Sequence, residues 1–372
     1  MSKLQELIKE LCPDGVEFRK LGEVCEIYTG GEPPKDTIKG DNKDEKHVYP
    51  VWANGKEVYG YSSTYKIDKD ATVISSIGAN TGSIYFRKAY FTPIIRLKVL
   101  VPKNNNLISK YLYYYLSTVT FVVKSSSVPN MNANEVKKLE IPLPSLEVQN
   151  EIVRILDTFT AHTAELQAEL QARKEQYEYY RNKLLTFDEN DEGVKWMKLG
   201  EIYDMKAGKS IPASEISSVK TEEFQYPCYG GNGLRGYVSI FNQEGEKVLI
   251  GRQGALCGNV CFAENLFYAT EHAVVVSDKG YCLPRYSFYL LTMMDLNQYK
   301  TAGAQPGLSV SRLEKISIPV PPLSEQKRII SILDKFESLV NDLSEGLPAE
   351  IAAVQEQYEY YRNKLLTFKR KS

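Results

Sequence analysis

The chain of 372 residues carries 46 Lys and Arg against 47 Asp and Glu, a net charge of −1, and is 43% apolar and 25% charged. This composition suits about two soluble globular domains and offers no global basic field for nucleic acid, so DNA contact would need local Lys, Arg and Asn clusters or a partner's charge. No run of about 18 apolar residues could span a membrane, and the charged, amphipathic N-terminus lacks the apolar core of a signal peptide; a cytoplasmic protein is expected.

In chain order, residues 1–17 open with an amphipathic helix, "KLQELIKEL". Residues 18–144 and 189–321 read as two globular mixed α/β domains. Their short runs "ATVISSI", "GSIYF", "KVLIG" and "NVCFA" are broken by Gly, Asn and Asp. That pattern predicts twisted, mainly antiparallel sheets, with helices over residues 108–118 and 285–294. Residues 145–188 and 322–372 read as long helices. Ile152, Ile155, Leu156 and Phe159 recur at helical spacing, as do Ile329, Ile332, Leu333 and Phe336. Such wide apolar stripes need a partner, and two rods in one chain pack most simply as an antiparallel pair. Gly346 and Pro348 should kink or break the second rod.

The chain is duplicated. "GVEFRKLGEV" at 15–24 returns as "GVKWMKLGEI" at 193–202. "IPLPSLEVQNEIVRILDTF" at 141–159 returns as "IPVPPLSEQKRIISILDKF" at 318–336, and "QYEYYRNKLLTF" at 176–187 is repeated unchanged at 357–368. The fold class expected is α+β, two such domains separated by two long antiparallel helices with an internal pseudo-two-fold repeat.

Catalytic signatures are missing. "KAGKS" at 206–210 has Tyr203 where a phosphate loop needs glycine, and "PDGVEFRK" lacks the Glu-x-Lys of a nuclease site. No dinucleotide fingerprint, nucleophile elbow or methyltransferase tetrapeptide is present. The six cysteines form no CxxC pair and the three histidines lie far apart, so reduced thiols and no metal are expected.

What remains is recognition chemistry on glycine-rich loops. "VWANGKEVYG" and "SIGANTGSIYF" offer Asn54, Lys56, Asn80 and Thr81, and "SSSVPNMNANEVKK" offers Asn130 and Asn132. The second half offers Asn232 and Arg235 in "YPCYGGNGLRGYV", Arg252 and Gln253 in "LIGRQGALCGNV", and Gln305 in "GAQPGLSVSRLEK". Arg reads guanine, and Asn or Gln reads adenine, through paired hydrogen bonds in the major groove. A plain hairpin is the alternative at each loop.

Together these blocks resemble the DNA-specificity subunit of type I restriction-modification systems, over nearly the whole chain and in matching order. The resemblance implies that each domain reads one half of a bipartite asymmetric DNA site. It implies paired helices that set the spacer and dock two modification (methyltransferase) subunits, with restriction subunits joining the full complex. The chain itself would be non-catalytic and hold no cofactor, with S-adenosylmethionine, ATP and Mg on the partner subunits. Tyr177, Tyr180 and Arg181, with Tyr358, Tyr361 and Arg362, would then hold two copies of one partner, although rod packing accounts for some of them. "TAELQAEL" at 163–170 resembles the tetrapeptides whose number sets the gap between half-sites. Residues 49–61 depart from the glycine-rich phrase of 226–238, so the two domains should read different bases. Two rivals stand beside this reading: a standalone methyltransferase or nuclease, and a coiled-coil scaffold with two protein-binding domains.

Overall fold

The computed structural model describes residues 3–119, 131–254, 256–301, 307–341 and 346–371. The chain forms two compact units, residues 1–167 with 351–372, and residues 168–350. In the first, Cys25–Thr29, Lys98–Pro102, Ala71–Ile74 and Ile84–Arg87 make an antiparallel sheet in that order. Ile38–Lys39, Gly60–Ser62, Tyr49–Trp52 and Thr92–Pro93 make a second sheet, whose last pair is parallel. The second unit repeats this plan with Tyr203–Ala207, Ala273–Asp278, Lys247–Gly251 and Val260–Ala263. Its other sheet orders Gly233–Val238, Tyr226–Gly230, Leu266–Ala269 and Gln243–Glu244. The duplication thus extends through the domains whose sequences have diverged, and the α+β class holds.

Side-chain alternation explains the layers. Ile74 and Leu100 face one core, which includes Tyr111 and Tyr114 of the helix Ser109–Leu116; Val73 and Val99 face another, built on Phe91 and Leu97. In the second unit Ile250 and Val274 face the helix Pro284–Met293, while Leu249 and Val275 pack with Phe267. Both faces are covered, so central strands such as Ala71–Ile74 are buried throughout.

The repeated "P-x-x-x-x-Q" phrase, Pro144 to Gln149 and Pro321 to Gln326, has a structural reason. Gln149 is fully buried, accepts from Ile108 N at 2.9 Å, and donates to the carbonyls of Asn106 (2.8 Å) and Pro144 (2.9 Å). Gln326 does the same with Leu283 N, Tyr281 O and Pro321 O, at 2.8, 3.0 and 3.0 Å. Each amide spends its acceptor and both donors closing a loop around the start of a domain helix.

One helix runs unbroken from Leu146 to Leu185. The later helices are Leu323–Asn341 and Leu347–Leu365, with Gly346 at a bend and Pro348 in the first turn of the latter. In the first unit Phe159 stacks on Tyr361, ring centroids 5.6 Å apart; in the second, Tyr180 stacks on Phe336 at 5.5 Å. Each tyrosine phrase therefore packs against the other copy of the Ile-Leu-Asp phrase. Among the described residues no helix is long and apolar enough to cross a membrane, and no group of three or more His, Cys, Asp or Glu could hold a metal. The six cysteines are free.

Candidate nucleic-acid interface

In the second unit two glycine-rich loops meet at Gly231 and Gly251. A Cβ on Gly251 would lie 1.8 Å from Gly231 O, so only glycine lets the loops approach. Asn232 and Arg235 are exposed there, and their side chains make no hydrogen bond or ion pair among the described residues. Arg252 is half-buried; its backbone N donates to His272 O at 2.9 Å and its carbonyl accepts from Leu308 N at 2.8 Å. Gln253 is exposed and pairs along its backbone with Gly307. Arg252 Nε, His272 Nδ1 and Glu271 Oε2 are each buried without a hydrogen-bond partner among the described residues. His272 Nε2 lies 3.4 Å from Glu271 Oε1. His272 and Glu271 are not among the sequence candidates, because neither sits in a glycine-rich phrase.

The first unit builds the same junction differently. Asn54 occupies the place of Gly231 and Ser75 that of Gly251; Ser75 Oγ donates to Asn54 O at 3.0 Å. Asn54 Oδ1 accepts from Ser76 N at 2.8 Å, and its Nδ2 donates to Ile95 O. With one bond at each end of its amide, Asn54 braces the loops. Asn132 likewise caps the helix Ala133–Lys138, its oxygen accepting from Asn134 N and Glu135 N at 2.9 and 3.0 Å. Thr81 donates to Gly78 O at 2.6 Å within its own turn. Asn80 is exposed and donates to Asn54 O at 3.1 Å. Lys56 is exposed at the loop tip. Beneath it Arg87, 9% exposed, donates to Gly55 O and Lys56 O and lies 3.6 Å over the Trp52 ring. Burial draws its pKa down to about 10. Asn130 and Gln305 lie outside the described residues.

Matched hydrogen bonds align the two junctions residue by residue. Met131 N donates to Ser76 O as Leu308 N does to Arg252 O, and the carbonyls of Arg96 and His272 accept from Ser76 Oγ and Arg252 N. Ser76 therefore stands where Arg252 does, and Arg96 where His272 does. One scaffold carries different polar groups at equivalent places.

The tyrosine phrase divides by face. Tyr177 packs in the second unit's core and Tyr358 in the first's, each with the arginine four residues on, Arg181 or Arg362, about its ring at 5.6 and 5.5 Å. Tyr180 and Tyr361 stack on phenylalanines as described. These six side chains are engaged within the chain. Among the residues left exposed are Tyr179, Asn182, Lys183 and Thr186, and again Tyr360, Asn363, Lys364 and Thr367, while Tyr361 keeps 40% exposure beside its stacking. Their spacing of three, four and seven puts each set on one helix face. Lys183 lies 5.8 Å from the Tyr179 ring centre, and Lys364 5.3 Å from that of Tyr360.

A duplicated α+β domain, with matching scaffolds and different exposed loops on a shared helical framework, defines a two-site recognition protein. Residues 13–176 and 191–353 each match the type I restriction modification DNA specificity domain, and the chain belongs to that family as a specificity subunit. The Escherichia coli type I restriction enzyme EcoprrI specificity subunit is 48% identical over 63% of either chain. The EcoR124I/EcoR124II specificity subunit, also from E. coli, is 30% identical with 99% of this chain and 98% of the relative aligned. The solved type I S subunit from M. genitalium shares the fold, with a TM-score of 0.66, 18% identity, and 95% and 96% of the two chains covered.

Proposed function

We propose that each unit reads one half of a bipartite DNA site and that the two repeated helix faces hold two methyltransferase subunits. The observation that carries the first part is the exchange of side chains on a common scaffold: exposed Arg96 in one unit stands where His272 does in the other, and buried Ser76 stands where half-buried Arg252 does. A protein that read one sequence twice would have no use for that exchange. In the second unit Asn232, Arg235, Arg252 and Gln253 supply base contacts, and in the first Lys56 and Asn80 face the duplex. Methyl transfer belongs to the partners, which carry S-adenosylmethionine, ATP and Mg. Restriction subunits join the same assembly.

The second part rests on two identical faces that the chain leaves uncovered, Tyr179 with Lys183 and Tyr360 with Lys364. They replace Tyr177, Tyr180, Arg181 and their repeats as the docking residues. Reversing charge with Lys183→Glu and Lys364→Glu together should abolish co-purification of methyltransferase subunits and leave the circular dichroism spectrum and melting temperature of the chain unchanged. Full retention of both subunits in that variant would sink the docking assignment.

A further inference from the structure

Between the strands Thr92–Pro93 and Lys98–Pro102 the first unit makes a turn that no sequence signal announces. Ile95 and Arg96 adopt left-handed backbone, φ of 49° and 60°, in succession and without glycine. A β-branched residue there is strained, and such strain persists only where the surroundings over-determine it. They do so here. Ile95 N donates to Gly31 O at 2.8 Å and Arg96 N to Gly30 O at 2.9 Å. The two carbonyls accept in turn from Asn54 Nδ2 and Ser76 Oγ. All four backbone groups are pinned. Gly30 admits the turn because a Cβ there would lie 2.7 Å from Ile94 N and O.

The pinned turn exposes two side chains. Ile95 is 47% exposed, and the guanidinium of Arg96 has no hydrogen bond or ion pair among the described residues. Close by lies Lys98, 6% exposed, which donates to Thr29 Oγ1 at 3.2 Å and pairs with no carboxylate among the described residues. Burial, with the Arg96 charge added, holds the lysine below its ordinary range. Two uncompensated cations beside a strained, over-bonded turn call for an acceptor-rich ligand.

We propose that Arg96 is a base-reading residue of the first unit, presenting its guanidinium fork to the O6 and N7 acceptors of a guanine in that unit's half-site. This inference rests on the DNA-reading function given above. A phosphate contact tolerates a flexible lysine and gains little from a locked backbone, whereas a bidentate base contact depends on orientation. In the second unit the equivalent His272, with Glu271 before it, brings another set of donors and acceptors, as a different half-site requires.

The test uses the chain co-expressed with its methyltransferase subunits and maps the methylated sequence. Arg96→Lys keeps the charge and removes the fork, and Arg96→Ala removes both. Expected for Arg96→Lys is relaxation at one guanine of the first half-site, with discrimination there falling about ten- to a hundredfold. The second half-site and the spacer should be unchanged. An unaltered first half-site, or an equal loss on every sequence, would overturn the assignment and make Arg96 a structural or phosphate contact. Should Arg96→Ala fail to fold, Arg96→Lys still decides. If the unmutated complex methylates no bipartite sequence, it is the DNA-reading function that fails, and that result is distinct from a failure of Arg96.

Discussion

Gln149 and Gln326 show how one side chain fixes where a domain helix starts. Each is buried with three satisfied hydrogen bonds to backbone. Gln149→Leu leaves Ile108 N and two carbonyls unpaired, so it should cost about 2–3 kcal/mol of unfolding free energy. Chemical denaturation of that variant against the parent measures the difference; a change within 0.5 kcal/mol, the range of about an ordinary surface substitution, would remove the role. The same residues show what was legible in the sequence. Asn54 and Asn132 both read as recognition groups on loops, and Gln149 as part of the long helix, yet the first braces two loops, the second caps a helix and the third holds the start of a domain helix. Only tertiary hydrogen bonds separate these uses. Arg96 stands inside the apolar run "TPIIRLKVL" with no Gly or Asn to announce a turn, and so it is absent from the sequence candidates.

The shared helices do two jobs with one repeated phrase. In "ILDTF", Asp157 accepts from Lys110 Nζ at 2.8 Å and from Tyr114 OH at 2.6 Å. In "ILDKF", Asp334 accepts from Arg285 Nε at 2.9 Å and Tyr289 OH at 2.5 Å, and Glu337 joins the cluster. The aspartate pins each domain helix to its rod, and the phenylalanine two residues later takes a tyrosine from the other repeat. Helical periodicity made the apolar half of this readable; the acidic half was invisible because Asp in a helix usually faces solvent. The rod also bears on spacing. "TAELQAEL" lies within the unbroken helix Leu146–Leu185, with Leu166 buried. One further four-residue insert after Leu170 adds ~6 Å and a net turn of about 40°. One base pair turns B-DNA by about 35°, given 10–10.5 pairs per turn. The insert should therefore widen the unread spacer by about one base pair with both half-sites kept. Methylation mapping of an active variant with an unchanged spacer would reduce these residues to plain helix.

The first unit closes on itself through both ends of the chain. Val16 N donates to Lys369 O at 2.8 Å and Lys371 N donates to Val16 O at 2.9 Å. Leu4, Leu7 and Ile8 share a core with Leu365, Leu366 and Phe368. In the second unit the corresponding join is made by continuous chain, from Leu185 through residues 188–193 to Lys195. A circular permutant opened near residue 189, with residues 3 and 371 linked, should therefore fold and support methylation. Insolubility of that permutant would contradict the equivalence of the two joins. Repeated blocks at three places made the duplication legible, whereas the common sheet order between them was not, because exposed loops carry most of the divergence and buried strands tolerate apolar exchange.

The central claim is that the two units read independently, and one measurement addresses it most directly. Residues 18–140 are replaced by the same domain from another member of the family, and the methylated sequence is mapped in cells that also make the methyltransferase subunits. One half of the bipartite site should change, while the other half and the spacer stay as they were. A change in both halves, or in neither, would contradict the account.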